Sequence, residues 1–288
     1  TAAASSAAAG YGMSYNPYTS DGQCKLQDEV NSDIDILSDY TTIRIYGTDC
    51  NQTKTVPHAV AQHPGMKLMM GLSNSDLSDV SSAVDLIIAG VNAELNSSWD
   101  RIDTVTVGNE AVTGGAASVS DVVSALNSAR TKLRNAKPNA YTGPVVTVEQ
   151  VGAILDSADG SGLQLCQNSD YTAANCHAFF DTSGDYTTGT RAGDFVGMQY
   201  ERLVKGCGKE RTVITESGWP WNTEWPLTDF ADTDPIPSTE NQEEAMKSLK
   251  KLFKSNPQDV VLFSAFDDAW KPNFDGSKGA EGYWGVHH

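Results

Sequence analysis

The sequence predicts an α/β fold closed into a (β/α)8 TIM barrel, with residues 1–288 as one domain. Three observations lead there. About eight short runs rich in β-branched residues alternate with mostly helical text, the pattern of a parallel sheet with crossover helices. A length of 288 residues is one that α/β barrels routinely fill as a single unit. No G-x-G-x-x-G or Walker pattern follows the first strand, as an open doubly wound sheet, the competing architecture, would ordinarily show.

In order, Tyr11-Gly12-Met13-Ser14-Tyr15 is a short strand stopped by the Asn16-Pro17 turn signal. A polar helix is expected over about 26–37, then a β-branched strand at Thr42-Ile43-Arg44-Ile45-Tyr46 closed by Gly47 and Asp49. A short helix at 59–62 leads to the apolar run 66–72. Val80, Val84, Ile87, Ile88, Val91 and Leu95 then recur at helical spacing. The fourth strand, Val105-Thr106-Val107-Gly108-Asn109-Glu110, passes into glycines, after which Ser118 or Ser120 caps a helix with apolar face Val119, Val122, Val123, Leu126 and Leu133. Strands follow at 145–149, at 175–180 with Asp181 beyond, and at Val213-Ile214-Thr215-Glu216. A charged helix over 240–254 and a last strand over 259–266 complete the set.

Two of these strands end in a glutamate. In a barrel all C-terminal strand ends open on one face, so Tyr46, Glu110, Glu149, His177, Glu216 and Asp268 can share one bowl. Glycoside cleavage needs such a pair, one carboxyl to protonate the leaving oxygen and one to attack or support the anomeric carbon. A glutamate that merely caps its strand is the bland alternative for each. Aromatic residues suit a sugar, because the apolar faces of a pyranose pack on flat rings. Tyr15, Tyr46, Phe179, Phe180, Trp219, Trp221 and Trp270 are the candidates, Tyr46 and Trp219 foremost. Glu149 also ends a β-branched run, as a substrate contact or a supporting acid.

Composition narrows the partner. Twenty Lys+Arg against 37 Asp+Glu give a net charge of -17, which repels nucleic acid and anionic membrane and suits a neutral substrate. No run of about 18 apolar residues is present to span a bilayer. Thr1-Ala2-Ala3-Ala4-Ser5-Ser6 reads as the start of a mature chain rather than a signal peptide. Five cysteines leave at least one thiol free or bonded to another chain, with one or two disulfides expected. Asn51-Gln52-Thr53 and Asn96-Ser97-Ser98 are glycosylation acceptors in a secreted chain. No His/Cys/Asp cluster has metal-ligand spacing, so neither metal nor cofactor is expected.

The chain resembles the family 17 glycoside hydrolases, in particular the fungal cell-wall β-1,3-glucanases and β-1,3-glucanosyltransferases. The likeness rests on Ile43-Arg44-Ile45-Tyr46-Gly47-Thr48-Asp49-Cys50, Val107-Gly108-Asn109-Glu110, His177-Ala178-Phe179-Phe180-Asp181, Thr215-Glu216-Ser217-Gly218-Trp219-Pro220 and Phe266-Asp267-Asp268-Ala269-Trp270-Lys271, in order over nearly the whole chain. It implies a retaining double displacement on β-1,3-linked glucose, with Glu110 as acid/base and Glu216 as nucleophile. Asn109, Tyr15, Tyr46, Asp49, Glu149, Phe179, Trp219, Asp268 and Lys271 are then expected to bind substrate. Asp268 stands where relatives commonly carry a longer glutamate.

A secreted, wall-associated monomer acting on β-1,3-glucan and laminari-oligosaccharides is the expectation, with hydrolysis and glucanosyl transfer both open. They share one intermediate and differ in the acceptor. A non-catalytic glucan-binding barrel gives no role to the paired glutamates. A Schiff-base lyase would need a lysine at a strand end, and Lys67 and Lys271 are poorly placed for that.

Overall fold

A computed structural model describes residues 10–274 and 276–287; the first residues, Thr1 to Ser6, and His288 fall outside that range. Eight parallel strands close a barrel in chain order: β1 (Gly12–Ser14), β2 (Thr42–Arg44), β3 (Lys67–Leu72), β4 (Ile102–Asn109), β5 (Val145–Gln150), β6 (Thr172–Asn175), β7 (Thr212–Ser217) and β8 (Val260–Leu262). Pairing of Met13 with Leu262 joins β1 to β8 and leaves no open edge. Around it lie α1 (Gln27–Ile36), α2 (Gln52–Ala61), α3 (Val80–Glu94), α4 (Val119–Arg134), α5 (Val151–Leu155), α6 (Leu163–Asn168), α7 (Ala192–Cys207) and α8 (Thr239–Leu252).

The two-residue period of the strands sorts side chains into layers. Met13, Ile43, Ile45, Leu68, Met70, Val105, Val107 and Val145 join the helix residues Val30, Ile34, Val60, Val84 and Ile87 in one buried cluster between sheet and helices. Residues of the other parity, Val146, Val148, Ala173 and Val213, form a separate cluster with Tyr171. Arg44 lies between the helix-facing Ile43 and Ile45, so it points into the barrel.

Several boundaries differ from expectation. The sixth strand is Thr172–Asn175, and Ala178–Phe180 is a 3-10 turn, because the chain must leave the barrel where its mouth opens. Helix α2 spans ten residues, Gln52–Ala61, and so begins well before the expected start at Ala59, with Pro57 inside it. The last strand ends at Leu262, after which the backbone turns. Helix α7 has no counterpart in the expectation, because Gly193, Gly197 and Gly206 dilute its apolar stripe. Gly193 needs to be small: a Cβ there would meet Ser248 of α8. Ser118, not Ser120, caps α4, its hydroxyl accepting from Asp121 N at 3.2 Å. Cys24 pairs with Cys50 and Cys166 with Cys207, leaving buried Cys176 as the free thiol.

The α2–α3 contact depends on one glycine. A Cβ on Gly90 would run into the backbone carbonyl of buried Thr53. Gly90→Ala is therefore expected to destabilise the fold by about 1–3 kcal/mol despite the higher helix propensity of alanine. Urea unfolding measures this, and an unchanged or raised midpoint would contradict the packing described.

Candidate active site

The C-terminal mouth of the barrel holds a cavity of about 630 Å³ whose walls include both Glu110 and Glu216. Each reaches it through a local fault in its strand. In β4 the pairing with β5 slips between Thr106 and Asn109, Gly108 takes φ +76° and Glu110 φ +53°, so Asn109 and Glu110 both turn inward. In β7 the pairing with β6 jumps from Ala174–Ile214 to Asn175–Glu216, which admits Thr215 as an extra residue. Thr215 and Glu216 then both face the interior, Thr215 Oγ1 donating to Asn175 Oδ1 at 3.0 Å.

Polar bonds join the two glutamates. Asn175 Nδ2 donates to Glu110 Oε1 at 2.7 Å and to Asn109 Oδ1 at 3.0 Å. Arg44 Nη1 donates to Glu216 Oε1 at 2.8 Å and to the Thr215 carbonyl at 2.8 Å, and Arg44 Nη2 to Asn109 Oδ1 at 2.8 Å. Arg44 is itself 1% exposed, its guanidinium 4.4 Å from the centre of the Tyr46 ring. On the other side Gln150 Nε2 donates to Glu110 Oε2 at 2.8 Å. His177 Nε2 is 3.4 Å from Glu216 Oε2, its ring set edge-on to Phe180, Phe263 and Trp284.

The electrostatics follow from these contacts. Burial by itself would raise the Glu216 carboxyl, but Arg44, His177 and Tyr46 outweigh it and hold the group below the ordinary glutamate value. Burial lifts the Tyr46 hydroxyl well above its usual range, with Arg44 opposing and Glu216 adding to the shift. Burial also raises Glu281, a third carboxyl on the cavity wall, with Lys271 partly opposing. Lys271 resists the downward pull of burial because Asp268 lies at 2.7 Å, and its ammonium is held charged.

Of the expected binding residues, Asn109, Tyr46 and Lys271 line the cavity. Asp268 is buried behind it and accepts from Asn16 Nδ2 at 2.6 Å, from Lys271 Nζ and from Trp270 Nε1, so it orients three wall residues. Asp49 is corrected to an exposed position outside the cavity, where it accepts from the hydroxyl of Tyr18, a wall residue, at 2.6 Å. Tyr15 is corrected likewise: it shares the helix-facing parity of Met13, and its hydroxyl donates to Asp33 of α1 at 2.6 Å. Trp219 and Phe179 are fully buried against each other and Trp284, so neither offers a face to a sugar. Glu149 shares the outward parity of Val145 and is spent on the loop after β4, accepting from Val112 N at 2.6 Å and Thr113 Oγ1 at 2.9 Å.

Of the other aromatics considered, Phe180 and Trp270 line the cavity, whereas the Trp221 indole donates to the Asp267 carboxylate. The sequence reading missed Arg44 as a partner of Glu216, and it missed Asn16, Tyr18, Gln150, Asn175 and Glu281 as wall residues. Strand parity was a usable signal for Gln150, since it follows Val146 and Val148 in facing inward. Glu281 lies in an irregular loop that carries no such pattern. Among the described residues, no group of three or more His, Cys, Asp or Glu is placed to hold a metal, and no helix is long and apolar enough to cross a membrane.

A (β/α)8 barrel with one carboxyl at the end of β4, another at the end of β7, and a cleft of amides and rings between them has the layout of a two-carboxylate glycoside hydrolase. Comparison with known proteins narrows this. The chain belongs to the BtgE/BtgC glycoside hydrolase family, whose domain model matches residues 12–285. It is 40% identical over 278 residues to the probable family 17 glucosidase SCW10 of Saccharomyces cerevisiae, covering 96% of this chain and 64% of that protein. It is 35% identical over 277 residues to the cell surface mannoprotein MP65 of Candida albicans, covering 96% and 66% respectively. Thus the chain spans roughly two thirds of the length of these relatives. Its fold is that of a glycoside hydrolase family 17 β-1,3-glucanosyltransferase from Rhizomucor miehei, with TM-score 0.72 and 20% identity over 96% of this chain and 92% of that one.

The depressed Glu216 carboxyl makes stability that is fully present above the unfolded glutamate value and is lost as pH falls through the lower folded value. In Arg44→Met burial loses its main opponent. The Glu216 carboxyl is then expected to titrate at higher pH than in wild type, which carbon-13 carboxyl shifts would read directly. An unmoved titration would show that Arg44 does not set the charge of Glu216.

Proposed function

We propose that this chain is a retaining β-1,3-glucan hydrolase and glucanosyltransferase of the fungal cell wall. The observation that carries the reading is the single cavity into which β4 and β7 deliver two carboxyls by opposite routes, one bound by neutral amides and the other by a buried cation. The names of its relatives support the substrate and place: a solved β-1,3-glucanosyltransferase has been captured with laminaritriose, and MP65 is a cell surface mannoprotein.

Glu216, held ionised, attacks the anomeric carbon while Glu110 gives its proton to the departing glycosidic oxygen. The products of this half are a glycosyl ester on Glu216 and a shortened glucan. Glu110, now a carboxylate, takes a proton from water or from a sugar hydroxyl, and that oxygen displaces Glu216. The roles separate because the environments differ. Asn109 uses its carbonyl oxygen on Arg44 and Asn175, which leaves its amide nitrogen to donate toward the sugar 2-hydroxyl. Tyr46 and Lys271 line the donor's path, and the Tyr18–Trp270 pair, rings 4.8 Å apart, forms one wall for a pyranose face. The steps as proposed draw on groups of one chain and call on no cofactor.

Timed incubation with a defined laminari-oligosaccharide, followed by mass analysis, is expected to give products both shorter and longer than the donor. Only shorter products would make the enzyme strictly hydrolytic. Proton NMR should show the β-anomer formed first; α-anomer first would refute the double displacement. Glu110→Ala is expected to lower turnover about 10²–10⁴-fold, the usual worth of a positioned acid/base. Glu216→Ala should abolish turnover yet still bind oligosaccharide by calorimetry, and residual wild-type turnover in it would remove Glu216 from its role.

A further inference from the structure

The loops that follow β7 and β8 are tied into one rim beside the cavity. Glu224 N donates to the Gly279 carbonyl at 2.9 Å, Thr223 Oγ1 to the Lys278 carbonyl at 2.7 Å, and Asn273 Nδ2 to Glu224 Oε2 at 2.9 Å. Lys278 Nζ also pairs with Asp234 at 3.1 Å. A rim so braced holds its side chains in place before any ligand arrives, which lowers the ordering cost of binding.

Its outer surface carries rings in water. Phe274 is 60% exposed, Leu227 57% and Trp225 42%, and the two aromatic members of the exposed large apolar set, Trp225 and Phe274, both lie here. The members outside the rim, such as Leu86 on α3 and Val204 on α7, are not aromatic and stand singly, which needs no special account. Trp225 is not a loose tip: it leans on the backbone of Gly279, where φ is +67° and an added Cβ would strike the indole. Phe230 stands 6.5 Å from it, centre to centre.

Phe274 lines the cavity and is also exposed, and the neighbouring Asn273 binds Glu224 beside Trp225, so exposed apolar residues border the cavity along this rim. Exposed apolar residues gathered at the edge of a cleft mark a binding surface. The occupant is not a polyanion, which the chain's net charge of -17 repels. It must also be continuous with what fills the cavity, and it must offer flat apolar faces to flat rings.

Building on the function proposed above, we infer that Trp225, Leu227 and Phe274 form an outer glucan-binding platform that holds glucosyl units beyond those inside the cavity. The platform makes the enzyme select long chains over short ones. Residues that short donors never reach then govern KM on polymer, while kcat stays with the carboxyls.

The test is kcat/KM across a ladder of laminari-oligosaccharides up to soluble polymer, for wild type, Trp225→Ala and Trp225→Leu. Trp225→Leu keeps apolar bulk over Gly279 but removes the flat ring, which separates loop collapse from lost stacking. For wild type, kcat/KM is expected to go on rising beyond the length that fills the cavity. Both variants should lose that rise, about tenfold on the longest donors and through KM, while the shortest cleaved donor reacts within about twofold of wild type. An equal loss at every length, or none at any length, overturns the platform. So does sedimentation showing that wild type self-associates through Trp225 with an intact length profile. Wild type that cleaves no oligosaccharide refutes the proposed function instead. In that event depletion onto insoluble β-1,3-glucan still decides the platform, since it requires wild type to bind more tightly than Trp225→Leu.

Discussion

The buried pair of Arg44 and Glu216 is the constraint around which the barrel mouth is built. A guanidinium 1% exposed must have its charge met in full, since an unpaired ion there costs several kcal/mol of desolvation. Its planar fork meets Glu216 on β7 and the Asn109 side chain on β4, and the Thr215 carbonyl takes a further bond. With its own position on β2, one side chain thereby fixes strands from three parts of the barrel. Chemistry and closure are the same interaction here. The bulges in β4 and β7 belong to it, because without an extra residue in each strand Asn109 and Glu216 would not both turn toward Arg44.

Much of this was legible in the sequence. The β-branched runs gave eight strands in the right order, and their glutamate ends gave the two carboxyls, because strand composition and barrel topology are both coarse properties that a run of residues carries in itself. Asn109 and Glu110 posed a visible conflict, adjacent residues both wanted on one face, and the glycine between Val107 and Asn109 is where the backbone resolves it with φ +76°. Side-chain parity was the information left unused. Counting by twos from Val145 sends Glu149 outward and Gln150 inward, and the same count sends Tyr15 to α1 rather than to the cavity.

What no count reveals is the partner across the barrel. Arg44 reads as a lone cation in an apolar strand, and nothing in its neighbours says that Glu216, 172 residues later, neutralises it. The aromatics failed for a related reason. Trp219 follows Glu216 closely and looks like a sugar platform, yet past β7 the chain dives under the rim, where Trp219 packs on Phe179 and its indole N–H finds the Ile236 carbonyl at 2.9 Å. A large ring next to Glu216 is equally useful as the floor beneath it. Tyr18 and Trp270, far apart in sequence, meet at the wall because Asp49 and Asp268 hold them there.

The difference between the two carboxyls finally rests on the chemistry of their partners rather than on depth. Glu216 faces a guanidinium, which donates only and favours one charge state throughout. That suits the nucleophile's part proposed for Glu216, which is anionic before attack and gives up its charge only while esterified. Glu110 faces the amides of Asn175 and Gln150, each carrying both a donor and an acceptor end. Asn175 is fixed as a donor, since its Oδ1 accepts from Thr215, but a Gln150 amide that turns over can accept from the acid's proton as readily as it donates to the carboxylate. In the proposed double displacement Glu110 is acid in the first half and base in the second, which calls for a partner of that kind, and a cation in its place would tie Glu110 to the second role alone.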